Sequence, residues 1–147
     1  MFIHLSADLS ARHPGVPMKQ TLLQEKYPVY VAEVSKSETR YTTVDEVVAY
    51  FKEKIAANPK VKFIAVFDHF EHTTHIGGTI APEIKAAAEV IFCFGIALPN
   101  PMVLAVRPRS IGIADMGDKF VVTFLEAPMA PANEAMEAWT KGLHNKD

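Results

Sequence analysis

Asp68-His69-Phe70-Glu71-His72-Thr73-Thr74-His75 packs three of the chain's six histidines and two carboxylates into eight residues. The chemistry on offer is metal ligation or proton transfer. His69, His72 and His75 recur at every third position, and on a helical turn they would fan over an arc of about 120°. Neutral imidazoles so placed can bind a transition metal ion such as zinc, and Asp68 or Glu71 can add an oxygen ligand or orient a ring. In an extended chain His69 and His75 would share a face and His72 would oppose them. The spacing is not that of a structural zinc finger, and no His-Glu-x-x-His motif occurs. The plain alternative is a set of exposed loop histidines beside one buried, hydrogen-bonded His69.

The same segment supports metal-free chemistry. A carboxylate beside an imidazole fixes its tautomer and raises its basicity, so Asp68 with His69 could act as a general base. Neighbours on a strand point to opposite faces, so this pair need not touch. Cys93, between Phe92 and Phe94, could be a nucleophile only if folding brought a base such as His69 to it. Without that base it is an inert buried thiol. Arg107-Pro108-Arg109 is the other polar singularity. Two guanidiniums held by a proline can grip a carboxylate or phosphate, or they can diverge. Two arginines are too few for a nucleic-acid surface.

These residues need elements to position them. Residues 61–67 read as a strand, apolar on both faces in its second half and so expected at the centre of a sheet. It delivers Asp68 and His69 to a turn that runs into Gly77-Gly78. Residues 29–34 read as an edge strand entered through Pro28. Thr43-Val44-Asp45-Glu46 is a capping box, followed by a helix burying Val44, Val47, Val48, Phe51 and Ile55 and stopped at Asn58-Pro59. Residues 82–88 read as a short helix and 90–94 as a buried strand. Asn100-Pro101 opens a short helix. Residues 110–115 and 120–125 form a hairpin. Pro131 starts a last helix with the stripe Ala132, Met136, Trp139 and Leu143.

A length of 147 residues suits one domain. With 49% hydrophobic and 22% charged residues, the composition is that of a globular chain with a core. A formal charge of −2 and a pI near 6.3 give no global attraction to nucleic acid or acidic membranes. No apolar run reaches the roughly 18 residues of a membrane helix. One cysteine excludes an internal disulfide framework and fits a reducing compartment, so a cytoplasmic location is expected. Residues 1–17 make a poor secretory signal. They are expected to be a loose arm, or Met18 to be the working start, with 18–147 as a single α/β domain. An ordered first strand at 2–5 is the alternative.

The order of elements, with Phe67-Asp68-His69, Phe94-Gly95, Gly117-Asp118-Lys119 and Ala127-Pro128, resembles the bacterial Domain of Unknown Function 302 family over about residues 41–128. The resemblance implies a compact two-layer domain that often self-associates, and no established reaction. The chain departs from it in His72, His75 and Arg107-Pro108-Arg109. The expected fold is α+β: a two-layer sandwich with a mostly antiparallel or mixed sheet of about five strands and two main helices. Three functions are expected in turn. The first is a domain binding a metal ion (His69, His72, His75) or a small anion (Arg107, Arg109, with Phe94 and Gly95). The second is an enzyme using His69 with Asp68 or Cys93. The third is a self-associating module, such as a homodimer, joined through the 29–34 edge.

Overall fold

A computed structural model describes residues 7–8 and 18–146. The strands are β1 (Ala7–Asp8), β2 (Met18–Leu23), β3 (Tyr27–Ser35), β4 (Val61–Asp68), β5 (Ala86–Phe94), β6 (Arg109–Asp115) and β7 (Lys119–Leu125). They form one antiparallel sheet in the order β1-β2-β3-β7-β6-β5-β4. β1 has only two residues, so six strands make the body of the sheet. The helices are α1 (Val44–Ala56), α2 (His69–His75) and α3 (Ala130–Lys141), with a 3-10 turn at Pro101–Val106. No helix among the described residues is long and apolar enough to cross a membrane.

Alternation decides which face is buried. Tyr30, Ala32 and Val34 on β3, Val90, Phe92 and Phe94 on β5, Ile111 and Ile113 on β6, and Phe120, Val122 and Phe124 on β7 are all buried. A period of two puts each set on one face of its strand. Helices α1 and α3 cover that face. The α1 N-terminus is closed as the capping box requires: Thr43 Oγ1 accepts from the Glu46 N–H at 3.2 Å, and Glu46 accepts from the Thr43 N–H at 3.2 Å. Hydrogen bonds, first from the Thr42 N–H, hold the Glu46 carboxyl below its ordinary value. In α3, Trp139 stacks on Phe94 at 5.8 Å and meets Phe92 edge-on at 5.7 Å. The Tyr50 hydroxyl donates to the Trp139 carbonyl at 2.5 Å and joins α1 to α3. Burial pushes the Tyr50 phenol pKa up.

The class is α+β, but the five-strand, two-helix sandwich is overturned by a six-strand sheet with three α-helices. Strand β2 lacks a β-branched run, so nothing local announced it; pairing with β3 makes it a strand. The helix expected at 82–88 is also wrong. Ala86, Ala87 and Ala88 favour a helix alone, yet their backbones pair with β6, which overrides propensity. Strand β4 is an edge, not the centre, because among the described residues only β5 pairs with it. Its apolar residues Ile64, Val66 and Phe67 are exposed. Conversely β3 lies between β2 and β7, with Val29–Ala32 paired on both sides, so it is not an edge strand of the sheet. The expectations for 1–17 lie outside the described residues, apart from Ala7–Asp8 in β1.

Candidate functional site

The structure divides the expected site residues between two places. The first is the end of β4. Asp68 does not serve His69. It caps α2, its Oδ1 accepting from the Glu71 N–H at 2.9 Å. The carboxylate that meets His69 comes from the next strand. His69 Nδ1 lies 2.5 Å from Glu89 Oε1. A carboxylate only accepts, so Nδ1 carries a proton and, in a neutral ring, Nε2 is left with a lone pair. The register explains the meeting, since Phe67 pairs with Glu89 and His69 follows two residues on. Glu89 was missed by the sequence reading. Its signal was that it is the lone charge in Ala86–Phe94.

Glu89 faces away from α1 and α3. It and His69 stand on one wall of an open trough of about 560 Å³ over the sheet face opposite α1 and α3, with Ser110, Gly112, Ala114, Val121 and Thr123 in its lining. His69 and His72 meet edge-on at 5.9 Å, and both lie against Phe67, at 5.3 and 5.1 Å. His72 and His75 line a separate shallow depression with Asp68 and Glu71. The expected three-histidine metal site is therefore not assembled. Among the described residues no group of three or more His, Cys, Asp or Glu side chains is placed to hold a metal ion. The helical arc fans the rings out: His69 touches His72 but binds Glu89, while His75 shares only the depression lined by His72.

Cys93 does not reach His69 either. It lies on β5 four residues beyond Glu89, about 13 Å along a strand, and its thiol donates to the Phe94 carbonyl at 3.1 Å. It lines a third depression, of about 440 Å³, with Ile64, Ile96, Leu98, Leu104 and Arg107.

The second place brings together the anion-binding candidates. Phe94, Arg107 and Arg109 line a cavity of about 230 Å³, closed by Val103 and Val106 of the 3-10 turn and by Met129 and Ala132 at the start of α3. Arg109 opens β6 opposite Phe92 and shares the face of Ile111, so alternation turns a guanidinium inward. It is only 8% exposed. Its Nη1 donates to the Val106 carbonyl at 3.1 Å and its Nη2 to the Leu125 carbonyl, while its Nε–H is buried with no acceptor. Burial pulls its pKa down from the usual arginine value, yet an arginine stays charged at neutral pH. Arg107 donates from Nη1 to the Ala97 carbonyl at 2.7 Å. Gly95, at φ +113°, makes room for it: the guanidinium carbon is 2.8 Å from where a Cβ would stand.

Among the described residues no acid lines this cavity. Among the described residues neither arginine is paired with a carboxylate. The start of α3 adds to the positive field. Its N-cap, Met129, offers no side-chain acceptor, so the helix's partial positive charge is left without a capping side chain there. The loop before it is fixed by Asn133, which accepts from the Ala127 N–H at 2.8 Å and donates to the Ala127 carbonyl at 2.9 Å. Sequence alone missed Val103, Val106, Met129 and Ala132, whose side chains meet only in the folded chain.

No curated protein and no solved structure matches the chain. The family whose model matches is not Domain of Unknown Function 302, so that resemblance is set aside. Over residues 18–145, the chain belongs to the family of unknown function DUF6858.

Proposed function

We propose that this protein binds a small carboxylate-bearing ligand in the Arg107–Arg109 cavity. The observation that carries the reading is Arg109: a buried guanidinium with an unsatisfied Nε–H, on a residue that lines an apolar cavity where the described residues place no acid. An unpaired buried charge costs several kcal/mol, and an entering carboxylate offsets that cost through charge-assisted hydrogen bonds. The apolar walls suit a short hydrocarbon body, and a few polar groups among apolar ones are the usual make-up of a ligand pocket. Calorimetric titration with butyrate tests it. Wild-type protein is expected to bind, and Arg109→Met and Arg107→Gln are each expected to weaken binding at least tenfold. Equal binding by folded variants and wild type would sink the reading.

A second reading rests on the 2.5 Å contact between His69 and Glu89. An oriented imidazole with a free Nε2, at the wall of an apolar trough, is equipped for general-base catalysis. Its test is a broad hydrolase and isomerase screen. Turnover that disappears in both His69→Ala and Glu89→Gln would support it, and turnover unchanged in His69→Ala would exclude it.

A further inference from the structure

Residues 95–106 form a run of twelve without a charged side chain, and much of its apolar surface faces water. Ile96 is 85% exposed, Met102 77%, Leu98 66% and Leu104 59%. Scattered exposed apolar residues need no explanation, but a contiguous set marks a binding surface. These residues do not stand apart from the proposed anion site. Ile96, Leu98 and Leu104 line the depression of about 440 Å³, and Ile64, 49% exposed, closes it from β4. Arg107 lines both this depression and the inner cavity. Arg107 is therefore common to the walls of a smaller, half-open cavity and of a larger open apolar groove.

We infer that the ligand is a single-chain amphiphilic carboxylate of the fatty-acid class. Its head is held at Arg107 and Arg109, and its acyl chain lies in the groove of Ile64, Ile96, Leu98 and Leu104. This rests on the carboxylate reading above and goes beyond it in naming the tail. The inner cavity of about 230 Å³ has room only for a short carboxylate; the pockets of drug-sized ligands begin near 300 Å³. A longer chain anchored at Arg107 can run along the groove, where it would cover side chains that now face water. A neutral lipid would leave both guanidiniums without a counter-charge, and a phosphate ion would leave the groove bare.

The test is a chain-length series by calorimetry: butyrate, hexanoate and octanoate, with 1-octanol as the uncharged control. Affinity is expected to rise up to about fourfold per added methylene, as burial of hydrocarbon predicts. Octanol is expected to bind at least tenfold more weakly than octanoate. A Leu98→Ser/Leu104→Ser variant changes two exposed side chains, so it is expected to fold, to keep butyrate binding and to lose the chain-length dependence. Butyrate binding with no gain for octanoate would overturn the amphiphile and leave the carboxylate reading standing. Octanol binding as tightly as octanoate would overturn both. Absence of binding by every carboxylate would remove the carboxylate reading and this inference together.

Discussion

The Arg107 guanidinium carbon stands 2.8 Å from the point that a Cβ on Gly95 would occupy. The residue that follows β5 is therefore part of the arginine's seat. Any side chain at 95 must displace the guanidinium, and Gly95 at φ +113° already holds a backbone conformation that other residues rarely adopt. One glycine thus ties the geometry of the proposed anion site to the end of a core strand.

Replacing it should be costly in two ways. Gly95→Ala is expected to lower stability by about 1–3 kcal/mol, the usual cost of a non-glycine residue in such a region. It is also expected to weaken butyrate binding by moving Arg107. Urea unfolding checks the first effect and calorimetry the second.

The His69–Glu89 pair should be thermodynamically light. Both side chains are partly exposed, at 52% and 32%, and such pairs contribute at most about 1 kcal/mol. His69→Ala is expected to shift the urea midpoint little. It is also expected to leave butyrate binding unchanged, because His69 does not line the arginine cavity. A large fall in butyrate affinity would show that the two places are coupled.

The capping box gives a pH signature. The Glu46 carboxyl lies below its ordinary value of 4.5 in the folded chain. Its contribution is therefore complete above the unfolded value and is lost as pH falls through the folded one. The melting temperature of wild type is expected to exceed that of Glu46→Gln at pH 7, and the gap to close as the pH is taken below 4.5. Thr43→Ala is expected to cost about 1 kcal/mol at neutral pH.

Phe92 is fully buried and touches both Phe94 and Trp139. Phe92→Ala is expected to destabilise by about 3–5 kcal/mol, measured by urea unfolding. Since Phe94 also lines the anion cavity, butyrate affinity should fall with it.

Elemental analysis of untagged protein tests the separation of the histidines. With His69 drawn to Glu89 and His72 and His75 lining another depression, no near-stoichiometric zinc, copper or nickel is expected. Near-stoichiometric metal lost in a His69/His72/His75 triple-alanine variant would show that the rings converge when a metal is present.

Local rules were legible wherever a local cause suffices. The Thr43–Glu46 box, the stripe of α1, the β6–β7 hairpin, the Asn100-Pro101 turn and the Ala132–Met136–Trp139 stripe of α3 follow from capping, turn chemistry and periodicity. These act over a few residues and are written in consecutive letters. Arg107-Pro108-Arg109 is conspicuous in the sequence as two arginines around a proline, whereas Phe94-Gly95 stood out through a resemblance to a different family.

Tertiary structure alone decided the rest. Whether β4 lies at the centre or the edge depends on which strands pair with it, and its own letters, apolar on both faces, do not carry that choice. The same pairing turned Ala86–Ala88 from helix to strand and set Glu89 beside His69, twenty positions away. It also set Cys93 four residues along β5 from the glutamate that holds that histidine. The inward turn of Arg109 needed the register of β5 with β6, and its lack of a partner carboxylate needed the packing of the 3-10 turn and α3 around it. Contacts between distant residues are fixed by the shape of the whole sheet, and that shape has no local signature.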